Sequence, residues 1–249
     1  MLLCKQKLLL KEENINTSTL AGKNSSSVSG SLLEGWKFVS SSKVIRGLIL
    51  GMLGAFVAAG AVIGLARTFV GDLRAGEAAY GVLFGSVFTG LALGIGLGPK
   101  VFSQFSRRRL FGAALTTSGL FLLTLALIQN LVLAILIVVI LGAFAGISWV
   151  TGFTMLGLEV ADDVRGRTFA FVQSLIRIVL VLVLAVAPVI AAAIGEHEYT
   201  IRHVTLTYNG AAFTMLFSSL IAIFVGVFSY HQMKDRPGIS FDDRKKLQQ

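Results

Sequence analysis

Six stretches of nearly unbroken apolar residues, at positions 45–66, 80–99, 110–128, 131–158, 169–194 and 211–230, alternate along the chain with short polar or charged segments. Each is long enough to cross a hydrocarbon layer roughly 30 Å thick, which takes about 20 helical residues at 1.5 Å per residue. Lipid offers no partner to a free N–H or C=O, so such a span has to satisfy its backbone internally, as a helix does. The pattern predicts an all-α integral membrane protein with six transmembrane helices over 45–230. The fourth and fifth stretches exceed 25 residues, which predicts helices that tilt, bend or project beyond the bilayer. Pro188, inside the fifth, removes a backbone hydrogen bond and predicts a kink.

Outside the spans the pattern changes character. Positions 1–31 end in a run rich in Ser, Asn, Thr, Gly and Lys, a composition that predicts a disordered segment. In 32–44, Leu32, Leu33, Trp36 and Val39 share a helical face, which predicts a short amphipathic helix lying in the membrane interface. Gln129-Asn130 leaves room only for a tight turn between the third and fourth spans. The connection over 195–208 is longer and polar, and 231–249 reads as a charged tail.

Composition agrees with the spans: 55% hydrophobic, 14% charged, mean hydropathy +0.79. The net charge of +9 raises nucleic acid as a partner, and the placement of the basic residues argues against it. Lys5, Lys7, Lys11, Lys23, Lys37, Lys43 and Arg46 precede the first span, Lys100 and Arg107 to Arg109 follow the second, Arg165 and Arg167 follow the fourth, and Lys234, Arg236, Arg244, Lys245 and Lys246 follow the sixth. The other side holds only Arg67, Arg74 and Arg202. By the positive-inside rule both termini lie in the cytoplasm and the chain is a multi-pass protein of the plasma (inner) membrane. Aromatic residues do not interleave with these clusters, so the bilayer, not nucleic acid, is the expected partner. A single cysteine, Cys4, leaves no internal disulfide.

Chemistry-bearing groups are few. Arg177 stands about 13 Å inside the fifth span, where an arginine facing lipid costs on the order of 3 kcal/mol, so it is expected to face a cavity or a partner, with Gln173 and Ser174 one turn earlier. Trp149 and Phe153, on the fourth span, are further candidates for a substrate cavity, although such residues also serve as packing. None of the six stretches contains Asp or Glu, so no intramembrane carboxylate is available for proton coupling. Between the fourth and fifth spans, Asp162, Asp163, Arg165 and Arg167 are candidates for a gating loop of ion pairs, with Arg107, Arg108 and Arg109 as further partners. Glycines recur at four-residue spacing, notably Gly90, Gly94 and Gly98, and Gly142 and Gly146, a pattern for close helix packing that also suits sliding. No catalytic motif, metal cluster or cofactor loop is present, and His197, His203 and His231 stand apart; no enzymatic activity, metal or cofactor is expected.

With these residues in view, the chain resembles the C-terminal six-helix half of a major facilitator superfamily transporter of the drug-exporter kind. The segment Leu32 to Val39 is similar to the end of that family's central cytoplasmic loop, and Gly98-Pro99-Lys100 through Arg109 to its glycine-and-basic loop, without the acidic residue usual between glycine and the basic pair. The run from Glu159 to Phe169 is similar to the Arg-Gly-Arg loop between spans ten and eleven. Met233 to Gly238 is similar to the junction in actinobacterial fusions of such a transporter to thymidylate kinase, with no kinase residues after it. The resemblance implies a truncated or half carrier that exports small-molecule substrates by alternating access, and that needs a second six-helix half or a second copy of itself. The rival expectation is a non-transporting membrane module or anchor, a remnant of such a carrier or fusion.

Overall fold

The computed structural model describes residues 43–72, 76–160, 162, 164–201 and 204–233. Six helices make up most of them: α1 (Lys43–Asp72), α2 (Glu77–Val101), α3 (Arg107–Leu127), α4 (Leu131–Glu159), α5 (Arg165–Ile194) and α6 (Gly210–Gln232). All six are long and apolar enough to cross a membrane, so the fold class is the one the apolar pattern predicts. Helix α1 reaches back to Lys43, taking in the last two residues of the expected interfacial segment. Helix α5 starts at Arg165, four residues before its apolar stretch. The expected disordered segment 1–31, the rest of 32–44 and the tail from 234 onward lie outside the described residues. Below, the end carrying Lys100, Arg107 to Arg109 and Arg165 is called the basic end.

Two helix boundaries have clear local causes. Asn130 caps α4, its side-chain oxygen accepting from the N–H groups of Val132 and Leu133 at 2.9 and 3.2 Å, which makes the Gln129-Asn130 connection a tight turn. Gly195 ends α5 at φ 70°, a left-handed conformation that favours glycine. The polar connection that follows is a β-hairpin rather than a loop: β1 (Glu196–Ile201) pairs antiparallel with β2 (Val204–Asn209), in register from Glu196 opposite Asn209 to Ile201 opposite Val204. Its sequence is rich in Thr, Tyr, Val and Ile, which suit a pleated backbone, so polarity alone understates its order. Helix α5 runs through Pro188 without interruption; the proline is exposed, on the side away from its neighbours.

The strongest helix contacts are α2 with α4, α3 with α6, α1 with α6, α3 with α4, and α1 with α5. Exchanging α1 with α4, α2 with α5 and α3 with α6 maps this set onto itself. Each helix also runs opposite to its counterpart, so the six form two inverted repeats of three. Small residues set the spacing at these contacts. A Cβ on Gly90 or Gly94 of α2 would lie 2.1 or 2.0 Å from the carbonyl oxygens of Val139 and Ala143, and one on Gly142 or Gly146 of α4 would lie 2.4 Å from those of Val87 and Leu91. Between α3 and α6 the same role falls to Gly112, beside the Tyr230 backbone, and Gly226, beside the Thr116 backbone. A buried hydroxyl joins α6 to α1, Ser229 Oγ donating to the Gly47 carbonyl at 2.9 Å.

The buried apolar residues fall into two clusters. One, with Leu65, Phe69, Leu83, Leu122, Ala134 and Met215, lies toward the hairpin end. The other, with Leu48, Met52, Phe111, Leu156, Ile176 and Met233, lies toward the basic end. The space between them is where a site is found.

Candidate functional site

A cavity of about 240 Å³ opens at mid-depth among α1, α2, α3 and α4. Its geometry follows from helical spacing. Ala55, Ala58, Ala59, Val62 and Ile63 share one face of α1, and three of these positions are alanine, so that wall is set back. On α2 the wall is Phe84, Val87, Phe88 and Leu91, again at i, i+3, i+4 and i+7. Phe111, Leu115, Ser118, Gly119 and Leu122 of α3 form the back, and Leu141, Ala145, Ser148, Trp149 and Phe153 of α4 the remaining side. Leu180 of α5 and Ala222 of α6 complete it.

Six aromatic rings contribute to this lining. Phe56 and Trp149 lie 5.3 Å apart between centroids at 57°, and Trp149 and Phe153 5.3 Å apart at 42°. Phe84 and Phe88 stand 5.7 Å apart at 51° on the opposite wall. Such tilted pairs within about 7 Å present both ring edges and faces to the space between them. No lining residue carries a charge; its polar side-chain groups are the hydroxyls of Ser118 and Ser148 and the Trp149 indole N–H. Ile63, Phe88 and Trp149 are exposed, so the mouth lies on the side presented by α1, α2 and α4.

Of the residues singled out from sequence, Trp149 and Phe153 line this cavity, and Arg177 and Gln173 do not. Gln173 is half-buried and Arg177 exposed on α5, where no ion pair or hydrogen bond engages its guanidinium among the described residues. Phe56, Phe84, Phe88 and Phe111, which complete the ring lining, are not distinguished by sequence type in a chain holding 18 phenylalanines. Their signal is the coincidence of Phe84 and Phe88 on one face of α2 with an alanine-rich face on α1.

The charged connections gather at the basic end. Arg108 Nη2 donates to Glu159 Oε1 at 2.6 Å, tying the start of α3 to the end of α4 with both side chains partly exposed. Asp162 pairs with Arg165 across the α4–α5 connection, the carboxylate largely in solvent and the arginine about half exposed. Asp163 lies outside the described residues, and Arg107, Arg109 and Arg167 are exposed beside these pairs. Thus Arg108 holds the acidic residue that opens the connection. Gly90, Gly94, Gly142 and Gly146 sit in the α2–α4 contact, and Gly98 faces the Ile147 side chain there.

Among the described residues no group of histidines, cysteines and carboxylates is placed to hold a metal. A family model described as transmembrane secretion effector, of the major facilitator type, matches residues 11–245. No curated protein and no solved structure matches the chain.

Proposed function

Because the chain belongs to the transmembrane secretion effector family, and so is a membrane transporter of the major facilitator type rather than an enzyme, we propose that its six helices act as one half of an alternating-access carrier that exports small molecules. The second half is a second copy of this chain or a further six-helix unit, and the two rock about a shared path. Uneven burial of the helices is the observation that carries this reading. In the most apolar stretches of α2 and α5 only 22% and 17% of positions are buried, against 39–44% in the other four. These two helices are counterparts in the inverted repeat, and α5 carries Arg177 about 18 Å from its basic end. Lipid covers such a face poorly, because a mid-depth arginine costs on the order of 3 kcal/mol there. A second half that offers a carboxylate or a water-filled path removes that cost. The basic end faces the cytoplasm of a plasma membrane by the positive-inside rule, with both termini on that side.

The test is the mass of the purified chain in mild detergent, by light scattering with detergent subtracted, together with the reaction of an Arg177→Cys variant in a Cys4→Ser background with a water-soluble thiol reagent. A dimer, or a complex with another membrane subunit, with a reactive cysteine supports the proposal. A strict monomer whose cysteine stays unreactive in every condition overturns it.

A further inference from the structure

We propose that the mid-depth cavity is a binding site for a small uncharged aromatic molecule of one or two fused rings, built by this chain alone. The reading deepens the transporter proposal by naming a ligand class, and it rests on that proposal only for what happens to the ligand afterwards.

Size comes first. A cavity of about 150 Å³ lined by apolar side chains takes benzene, so the 240 Å³ here has room for a bicyclic ring system. Charge comes next. No lining side chain is ionised, so an ion entering this space would lose its hydration without gaining a counter-ion. Ring geometry then separates an aromatic guest from an alkyl chain. Phe56, Trp149 and Phe153 on one side and Phe84 and Phe88 on the other are inclined by 42–57° within their pairs, so a flat guest between them meets edges and faces together. An acyl chain gains nothing from that inclination. Ser118 and Ser148, on the adjacent helices α3 and α4, supply two hydroxyls that can hydrogen-bond one phenol, indole N–H or carbonyl on the guest. All the residues that line the cavity belong to this one six-helix unit, so binding can be tested on the chain by itself.

Trp149 reports on its own cavity. The chain has two tryptophans, so a Trp36→Phe variant leaves Trp149 as the only one. Purified in detergent, this variant is titrated with 2-bromonaphthalene, whose bromine quenches indole fluorescence at contact. 1-Bromododecane and a bromophenyl-trimethylammonium salt serve as the acyl and cationic comparisons. The expected result is saturable quenching by the bromonaphthalene, reversed by unlabelled naphthalene, and at least tenfold weaker for the other two probes. Filling the cavity from either wall, with Ala145→Phe on α4 or Ala59→Phe on α1, weakens the bromonaphthalene titration at least tenfold in a variant that keeps its helical circular dichroism. Non-saturable quenching that both filled variants leave unchanged overturns the site, and preferential binding of the alkyl or cationic probe overturns the ligand class. Saturable binding in a chain that moves no solute in vesicles leaves the site standing and overturns the transporter reading. Transport without such binding does the reverse.

Discussion

The contacts α2–α4 and α1–α5 occupy equivalent places in the inverted repeat, yet they are built differently. Between α2 and α4 the glycines are reciprocal and each faces the other helix's carbonyl oxygens, so backbone lies directly on backbone. Between α1 and α5 the corresponding glycines are less tightly enclosed: Gly60 faces side chains, and Gly64 stands at ordinary contact distance from both the side chain and the backbone of Leu184. A Cβ on Gly60 would meet Val183 Cγ1 at 2.9 Å, and one on Gly64 would stand 3.7 Å from Leu184, an ordinary contact. A backbone cannot turn aside as a rotamer can, so α2–α4 is a fixed joint and α1–α5 an adjustable one. Equal topology therefore leaves the two sides with unequal freedom, and the adjustable side bears Arg177 and the least buried helix.

Substitutions at these glycines sharpen or break the contrast. The largest effect is expected for Gly94→Ala, whose methyl would sit 2.0 Å from the Ala143 oxygen and force the helices apart; a loss of about 3 kcal/mol or more should appear in denaturant unfolding in mixed micelles. A Gly94→Ala chain that unfolds like the wild type would refute the fixed joint. Gly60→Ala meets the Val183 side chain, Cγ1 at 2.9 Å and Cβ at 3.1 Å, and no backbone, so its overpacking is partly offset by the helix propensity gained, and a net loss of about 1 kcal/mol is expected in the same assay. Between α3 and α4, a double-mutant cycle on Arg108 and Glu159 should return a coupling of about 0.5 kcal/mol that shrinks in high salt, because both side chains are partly exposed. Last, and opposite in sign, is Gly64→Ala, where the added methyl makes only ordinary van der Waals contact and leaves the helix propensity gain, up to about 1 kcal/mol, unopposed. A clear destabilisation there would mean that the adjustable side is as tight as its counterpart.

The spans were legible in the sequence because hydrocarbon imposes one length and one polarity on every crossing segment. The glycines of the α2–α4 contact were legible through their four-residue spacing. Gly112 and Gly226 were not, since neither has a glycine four residues away on its helix, and their importance depends on which helix lies opposite. The cavity escaped for a similar reason. A void is a property of four faces meeting, and Ala55, Ala58, Ala59 and Ala145 mean nothing until the rings across from them are placed. Polar residues, which are easiest to notice in an apolar chain, drew attention to Arg177 and Gln173, away from a site whose lining is almost wholly hydrocarbon. The polar connection after α5 is ordered as a hairpin, which its Thr, Tyr, Val and Ile residues suit and which its polarity alone does not reveal.

At the foot of that hairpin the Gly210 N–H donates to the Gly195 carbonyl at 2.9 Å, and a Cβ on Gly210 would lie 1.9 Å from the Ala191 oxygen. The last turn of α5 and the first turn of α6 are thereby stapled together. A pivot at that staple would let the two rods swing like the arms of a pair of compasses. For a 30-residue rod, about 45 Å long, a swing of roughly 10° carries the free tip about 8 Å. The travel is greatest where Asp162 and Arg165 meet, so that ion pair sits at the point of longest stroke.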